Sequence, residues 1–129
     1  MKTIFLDTNI YLDYLLQRKN GGFAFKIFRR ALKCEFKIII SSKIAEELLG
    51  NVSNEEVKSL LAFLSKKIVK AYYSDKDLEL AQKLDKENRN DALHAIIAEK
   101  HKADFLVTRN IKHFKKFSYK VKAVLPEQI

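Results

Sequence analysis

The chain begins with a short apolar run that stops at a carboxylate. Thr3 to Leu6 are β-branched, aromatic or aliphatic, and Asp7, Thr8 and Asn9 follow directly. An uninterrupted apolar run bounded by polar residues is typical of a strand that is buried on both faces of a parallel sheet. The pattern therefore predicts that Asp7 lies at the carboxyl end of this strand and that Thr8 caps a following helix.

Apolar strands and amphipathic helices alternate along the rest of the sequence. Further strands are predicted at 36–40, 68–73, 104–108 and 119–125. The segments between them place apolar residues at helical spacing, and Ser41 and Ser53 stand where helix N-caps are expected. Strands and helices that alternate through short links predict an α/β fold with a parallel sheet covered on both faces. We find no repeat or linker, so residues 1–129 are expected to form a single domain.

The segment 90–99 differs from the other helices because it is apolar on most sides. Such a helix is expected to be buried. Asp91 lies in its first turn, where the helix dipole favours a carboxylate. His94 follows one turn later, and no second histidine has metal-binding spacing relative to it. His94 is therefore predicted to pack or to form hydrogen bonds within the fold.

Charge and cysteine usage narrow the class of protein. The formal net charge is +9 and the isoelectric point is about 9.6, which favours a polyanionic partner, although lysines also solvate helix faces. The single cysteine, Cys34, is expected to be a small hydrophobe at a helix end. No apolar run approaches the roughly 18 residues that span a bilayer, and the first residues do not resemble a signal peptide. We therefore expect a cytoplasmic protein without a membrane partner.

Acidic residues meet at one edge of the predicted sheet, in contrast to the basic balance of the whole chain. Asp7 ends the first strand, Glu46 and Glu47 lie in the helix after the second strand, and Asp91 opens the buried helix. Adjacent helical residues point about 100° apart, so only one of the two glutamates can face Asp7. The amide of Asn110 follows another strand at the same edge.

Each of these acids has an ordinary explanation alone, as a cap or a solvated side chain, and the interpretation depends on their joint placement. Carboxylates that lie close together repel one another unless a cation neutralises them, and Mg²⁺ or Mn²⁺ prefers such oxygen ligands. A cation held there would activate a water molecule for attack on a phosphodiester.

Four motifs, in this order and spacing, resemble the PIN domain family. They are Leu6-Asp7-Thr8-Asn9, the segment from Ser41 to Leu49, the segment from Asp91 to Ala95, and the segment from Leu106 to Phe114. The resemblance covers residues 1 to about 117, and the chain length is similar to that of VapC-type toxins of prokaryotic toxin–antitoxin systems. It implies a three-layer sandwich whose central, mostly parallel sheet has about five strands.

The resemblance also implies an activity and partners. It implies an endoribonuclease that depends on Mg²⁺ or Mn²⁺ and hydrolyses RNA phosphodiester bonds by water attack. Proteins of this type often work as homodimers, and a cognate antitoxin silences them by inserting into the groove of the active site.

Site roles follow from the resemblance, residue by residue. Asp7 would be the central metal ligand and Asp91 the third acid. Glu47 would be the second acid, in preference to Glu46, because the family pattern places an acid directly before Leu48 and the leucine after it.

Neighbouring polar residues are given supporting roles by the same comparison. Thr8, Asn9 and Thr108 would orient the carboxylates through hydrogen bonds, and Arg109 would contact phosphate. Asn110 stands where many family members carry a fourth acid. This departure favours one metal ion over two.

Two alternatives from other classes stay open at this point. The first is a catalytically silent PIN-like module that binds RNA or protein, which the substitution at Asn110 would explain. The second is a phosphate-handling α/β domain, either a phosphatase of the haloacid dehalogenase type or a receiver. The phosphatase pattern requires an acid where Asn9 stands, and the receiver pattern requires paired acids where Leu6 precedes Asp7. Both phosphate-handling assignments are therefore disfavoured.

Overall fold

The computed structural model describes all residues, 1–129, as five strands and seven helices. The strands are β1 (Lys2–Leu6), β2 (Phe36–Ser41), β3 (Ile68–Ala71), β4 (Phe105–Val107) and β5 (Ala123–Val124). The helices are α1 (Thr8–Leu15), α2 (Gly21–Leu32), α3 (Ser42–Leu49), α4 (Asn54–Leu64), α5 (Asp75–Leu84), α6 (Arg89–Lys100) and α7 (Ile111–Phe114). Single 3₁₀ turns lie at Ser65–Lys67, Lys115–Phe117 and Pro126–Gln128.

The five strands form one parallel sheet in the order β3-β2-β1-β4-β5. In the central strand β1, Phe5 pairs with Ile39 on one side and with Leu106 on the other. Ile4, Phe5 and Leu6 are all fully buried. Successive strand residues point to opposite faces, so both faces of the sheet are covered by helices. This confirms the predicted α/β sandwich and places the end of β1 between two neighbouring strands.

Helix α6 confirms the prediction of a buried helix, since every residue from Ala92 to Ala98 is buried.

At the start of α2, a side chain on Gly21 would place Cβ only 2.7 Å from the carbonyl oxygen of Asp13. Glycine therefore allows the close approach of α2 to α1. The segment Asn20-Gly21-Gly22 indicates a loop from sequence, but its glycines form the first turn of α2 instead.

Some local expectations were wrong. The strand expected at 119–125 is reduced to Ala123–Val124, because the chain from Phe117 to Lys120 closes a turn in which the Lys120 amide donates to the Phe117 carbonyl at 2.8 Å. Thr8 does not cap α1. Asp7 is the cap residue, and its Oδ1 accepts a hydrogen bond from the Thr8 amide at 2.8 Å.

Cys34 is also not the small hydrophobe that we expected. It is exposed after the end of α2 with a positive φ of 68°, and its Sγ accepts a hydrogen bond from the Lys67 ammonium at 3.0 Å. On α2 itself, Phe23 and Leu32 are exposed, whereas Ala24 takes part in the core. No helix has the length and apolar character that crossing a membrane would require.

Candidate active site

Asp7 lies at the carboxyl end of the central strand, and three donors hold its side chain in place. Besides the Thr8 amide on Oδ1, the Thr108 hydroxyl donates to Oδ2 at 2.8 Å and the Asn9 side-chain amide donates to Oδ2 at 3.3 Å. The Asp7 amide donates to the Val107 carbonyl of the neighbouring strand at 2.9 Å. Asp7 is only 6% exposed, so its carboxylate is buried in a fixed orientation.

Glu47 approaches the same place from α3. Its Oε1 accepts hydrogen bonds from the Thr8 hydroxyl at 3.1 Å and from Nε2 of His94 at 2.8 Å. Burial by itself would raise the pKa of Glu47, but the contacts with His94 and Thr8 and the charge of Lys43 lower this pKa below its ordinary value. The Glu47 carboxylate is thus stabilised in its ionised form.

The neighbouring Glu46 points elsewhere. It is exposed, its Oε2 lies 3.8 Å from the Lys43 ammonium, and its Oε1 accepts from the Tyr73 hydroxyl at 3.4 Å. One helical step separates the two glutamates, and only Glu47 reaches the neighbourhood of Asp7.

Asp91 completes the acidic group from the first turn of α6. Its side chain is half-buried, and its Oδ2 lies 3.3 Å from Nδ1 of His113 on α7. Burial and the negative charge of Asp7 raise the pKa of Asp91, while His94 and His113 oppose this shift. Asp7 and Asp91 are therefore close enough for their charges to repel. We call Asp7, Glu47 and Asp91 the acidic triad.

His94 connects two members of the acidic triad. Its Nε2 lies 2.8 Å from Glu47 and 3.9 Å from Asp7, and its ring centroid is 5.5 Å from that of Phe5. The ring is 1% exposed, and its buried Nδ1 has no hydrogen-bond partner. The prediction that His94 packs and forms hydrogen bonds is confirmed. Its contact with the acids was missed, because Glu47 and His94 lie far apart in sequence.

Thr108 and Asn110 approach Asp7 from the segment after β4. The fully buried Thr108 hydroxyl donates to Asp7 and accepts from the Asn110 amide at 3.0 Å. Asn110 is exposed, and its side chain makes no hydrogen bond within the chain. His113, three residues further, was another contact with the acidic triad that the sequence did not indicate.

Arg109 does not face the acidic triad. Its Nε donates to the buried Asp13 at 2.7 Å, its Nη1 lies 3.4 Å from Glu127, and its guanidinium stands 5.7 Å from the centroid of the Phe23 ring. These contacts argue against the predicted role of Arg109 in contacting phosphate. An ion pair with a buried acid was not foreseen, because Asp13 lies 96 positions earlier in the chain.

The donor set of the acidic triad suits a divalent cation, although the side chains do not form a complete ligand cluster. No three His, Cys, Asp or Glu side chains converge as a metal site. Glu47 and Asp91 each direct one oxygen to a histidine, while Oε2 of Glu47 and Oδ1 of Asp91 form no hydrogen bond. No lysine or arginine nitrogen lies within 4.0 Å of the three carboxylates. The oxygens of Glu47 and Asp91 that form no hydrogen bond are of the type that Mg²⁺ and Mn²⁺ prefer as ligands.

The fold and this site together define a parallel α/β protein with an acidic centre at the carboxyl edge of its sheet. The family model described as the PIN domain matches residues 3–112. This chain therefore belongs to the PIN domain family. No curated protein matches the sequence.

Solved structures support the same fold. The chain is similar to a chain of VapBC2 from Rickettsia felis bound to a DNA fragment from its promoter, with 24% identity, a TM-score of 0.67, and coverage of 95% of this chain and 98% of the other. For FitAB bound to the IR36 DNA fragment the identity is 16%, the TM-score 0.67 and the coverage 95% and 94%. For VapBC-1 from nontypeable Haemophilus influenzae these values are 20%, 0.63, 97% and 98%. At these identities the likeness shows a shared fold and nothing more.

Proposed function

We propose that this protein is an endoribonuclease that requires Mg²⁺ or Mn²⁺ and hydrolyses RNA phosphodiester bonds. The observation that carries the proposal is the charge of the acidic triad. Burial and the charge of Asp7 raise the pKa of Asp91 against the opposing effects of His94 and His113, and no lysine or arginine nitrogen lies within 4.0 Å of either carboxylate. Such repulsion costs stability unless a cation balances it. Membership of the PIN domain family supports a nuclease with a divalent metal.

In this proposal, the three acids hold the cation and their neighbours hold the acids. Asp7 would be the central ligand, since three donors already fix its carboxylate. Glu47 and Asp91 would ligate through the oxygens that form no hydrogen bond in the structure. The hydrogen bonds of Thr8, Asn9 and Thr108 would keep the ligands in orientation. With Asn110 in place of a fourth acid, we propose a single metal ion.

Held by Asp7, Glu47 and Asp91, the cation would lower the pKa of water and offset negative charge on the phosphate oxygens. The overall hydrolysis would add one water across a phosphodiester: its hydroxide would join phosphorus, the bond from phosphorus to one sugar oxygen would break, and the remaining proton of the water would go to that oxygen. The side chains of Asp7 and Thr108 are held rigidly in the site, because both residues are almost fully buried and a hydrogen bond joins them. Glu47 is held ionised, as a ligand must be.

The decisive experiment compares two adjacent glutamates. Purified wild type, Glu47→Gln and Glu46→Gln are incubated with labelled single-stranded RNA in Mn²⁺ and in EDTA. We expect the Glu47 variant to lose at least about 100-fold in cleavage rate, the Glu46 variant to retain it, and EDTA to abolish cleavage by wild type. Both variants remove one charge from the same helix, so a general charge effect would act on both. Cleavage that survives EDTA, or equal activity of the two variants, contradicts the assignment.

We further propose that the protein is the toxin of a toxin–antitoxin pair, that it forms a homodimer, and that a cognate antitoxin protein binds it. The support for the toxin and its antitoxin is the likeness in fold to VapBC and FitAB over nearly the whole chain, and the homodimer is proposed from the family resemblance alone. Induced expression should arrest growth, Asp7→Asn should abolish the arrest, and co-expression of a small protein encoded beside this one should relieve it. An arrest that persists with Asp7→Asn would count against the toxin assignment. Light scattering on the purified protein measures its oligomeric state.

A catalytically silent module that binds RNA or protein is the second candidate. It is favoured by the hydrogen bond of His94 to Glu47, which already satisfies one ligand oxygen, and by Asn110 in place of an acid. This candidate predicts RNA affinity without cleavage in Mg²⁺ or Mn²⁺, and an affinity that Asp91→Asn leaves unchanged.

A further inference from the structure

A basic groove lies apart from the acidic triad, beside the first residues of β1 and β4. Its volume is about 820 Å³, and thirteen residues line it without any aspartate or glutamate among them. The residues that matter here are Lys2, Lys112, Lys115 and Lys122, with Phe105 and Leu125 on its floor. We call this the lysine groove. Its lining runs along the β4–β5 side of the sheet, from Lys2 and Phe105 at the strand starts to Leu125 after the end of β5. The acidic triad carries the opposite charge.

The four lysines of the lysine groove have no acidic partner within 4.0 Å. Nearby lysines behave differently: Lys116 pairs with Asp85, and Lys120 pairs with Glu99 at 3.2 Å. Arg30 also borders the groove, and its Nε forms an ion pair with Glu35 at 3.0 Å. The lysine groove thus carries the uncompensated charge of four lysines on one concave surface. A concave surface lined by like charges attracts a ligand of opposite charge more strongly than a flat one.

The floor of the lysine groove adds apolar surface to this charge. Phe105 is half-buried, and the Lys2 ammonium stands 4.8 Å from the centroid of its ring. Ile111 and Leu125 are also half-buried and line the same groove. Cations beside apolar and aromatic side chains are the combination that binds single-stranded nucleic acid, with amines on phosphates and side chains against bases.

The short helix α7 links the lysine groove to the acidic triad. His113 of α7 contacts Asp91 at 3.3 Å, while Lys112 on the same helix and Lys115 directly after it line the groove. A strand bound at the acidic triad would pass α7 to enter the groove. This continuity favours the nucleic acid substrate over an unrelated acidic peptide as the occupant.

We propose that the lysine groove binds the flanking, single-stranded part of the RNA whose scissile bond lies at the acidic triad. This inference rests on the proposed function for the identity of the ligand. It assigns affinity to residues remote from the reacting atoms. The cleavage chemistry itself belongs to the acidic triad.

The test measures binding without cleavage. Fluorescence anisotropy in EDTA follows single-stranded RNA of about 20 nucleotides, which exceeds the site of a single domain, at several salt concentrations. The variant is Lys112→Gln, Lys115→Gln and Lys122→Gln together, and the control is Lys58→Gln, Lys66→Gln and Lys76→Gln. The control lysines are exposed, lack acidic partners and lie outside the groove. Both proteins lose the same charge.

We expect the groove variant to lose roughly tenfold in affinity and to reduce the slope of log affinity against log salt by about 2, since each lost phosphate contact removes about 0.7 for a single strand. The control should keep the wild-type slope. Equal slopes for the two variants overturn the proposal. Binding of a glutamate-rich peptide that depends on the groove lysines, without such dependence for RNA, also overturns it.

The proposal for the groove and the proposal of nuclease activity can fail independently. If wild type cleaves RNA and the groove variant binds like the control, the groove proposal fails and the proposed function stands. If no metal supports cleavage but binding depends on the groove lysines, the groove proposal stands and the enzymatic one fails. Circular dichroism spectra identical to wild type confirm that the variants are folded.

Discussion

Asp7 serves two purposes with one carboxylate. Its Oδ1 caps α1 through the Thr8 amide, and its Oδ2 accepts from Thr108 and Asn9. A capped helix start favours a negative charge, because unpaired amides and the helix dipole meet there. The same carboxylate lies beside another acid. That acid is Asp91, and burial and the charge of Asp7 raise its pKa.

At the residue scale, we predict that Asp7→Asn lowers the pKa of Asp91. Removal of the Asp7 charge removes one of the two effects that raise this pKa, although burial, the larger one, persists. NMR titration of the Asp91 side-chain carboxyl measures the change. Asp13→Asn, which neutralises a buried acid paired with Arg109, is the control and should leave the pKa of Asp91 in place. An unchanged pKa in Asp7→Asn would show that the two acids do not interact.

The raised pKa of Asp91 also has a consequence for stability, and its sign follows from linkage. The folded state holds this proton more tightly than the unfolded state, whose pKa is about 3.9. The contribution of Asp91 to stability is therefore fully present below the unfolded pKa and is lost as the pH rises through the folded pKa. In Asp7→Asn this loss should be smaller, which urea unfolding between pH 3 and pH 7 would detect.

At the element scale, ion pairs join separate helices and loops of the fold. Asp13 on α1 accepts from Arg109 after β4 at 2.7 Å, and Arg109 also reaches Glu127 near the end of the chain. Asp77 in the first turn of α5 accepts from Lys100 at the last turn of α6 at 3.0 Å. Each contact links side chains of two elements, and the pair of Asp13 with Arg109 is the more buried one.

We predict that Arg109→Met destabilises the protein by about 3 kcal/mol, because a buried carboxylate loses its main partner. Asp13 has 6% side-chain exposure, so water cannot readily replace the guanidinium. Chemical denaturation measures the loss. Arg18→Met is the control, since Arg18 is more exposed and lies 3.7 Å from Asp13, and we expect a change below about 1 kcal/mol. If Arg109 instead contacts substrate, its variant would keep wild-type stability and bind RNA less tightly.

The start of α5 gives a pH-dependent prediction. Burial tends to raise the pKa of Asp77, but hydrogen bonds from the Ser74 amide and Lys100, together with the Lys100 charge, lower it overall. The contribution of Asp77 is therefore present above the unfolded pKa of about 3.9 and is lost as the pH falls through the folded pKa.

The matching variant is Asp77→Asn, which we expect to cost about 1 kcal/mol at neutral pH, the usual worth of a helix cap, and much less in acid. Thermal unfolding at both pH values measures this. Asp75→Asn removes the same charge from the same turn, but Asp75 is exposed and makes no hydrogen bond, so its effect should be small at both. A loss for Asp77→Asn that is independent of pH would contradict the linkage.

At the scale of the whole molecule, opposite charges occupy two separate surfaces. The acidic triad lies at the carboxyl edge of the sheet and the lysine groove lies along its β4–β5 side, in a chain of net charge +9. This separation lets a cation and a polyanion bind to one small domain without competing for the same side chains. It follows from the parallel sheet, which brings all carboxyl ends of the strands to one edge.

A whole-molecule prediction concerns metal and thermal stability. Mn²⁺ or Mg²⁺ should raise the melting temperature in the absence of RNA, because a ligand that binds only the folded state stabilises it by about 2.7 kcal/mol at 100 times its Kd. Asp7→Asn and Asp91→Asn should each abolish the rise. Glu46→Gln should retain it, since Glu46 is turned away from the triad. A rise of equal size in all variants would indicate that the metal binds elsewhere.

Local sequence was sufficient for much of the architecture. An apolar run that ends at Asp7 specifies a buried strand, and the apolar surround of α6 specifies a buried helix, because these patterns depend on the period of each element alone. The alternation of elements then leaves few arrangements of a parallel sheet. The length of the last strand was not specified in this way, because the amides of Lys120 and Val121 both donate to the Phe117 carbonyl and close a turn where the pattern predicts a strand.

The acidic triad was foreseen as residue types at one edge, but its contacts were decided by the tertiary structure. The sequence placed Asp7 after a strand, Glu46 or Glu47 in the helix after the second strand, and Asp91 in the first turn of a helix. Packing alone inserted His94 between Asp7 and Glu47. Packing likewise brings Arg109 into an ion pair with Asp13. The physical reason is range: periodicity and capping act over a few residues, whereas ion pairs and pKa shifts depend on distances that only the assembled sheet brings within a few ångströms.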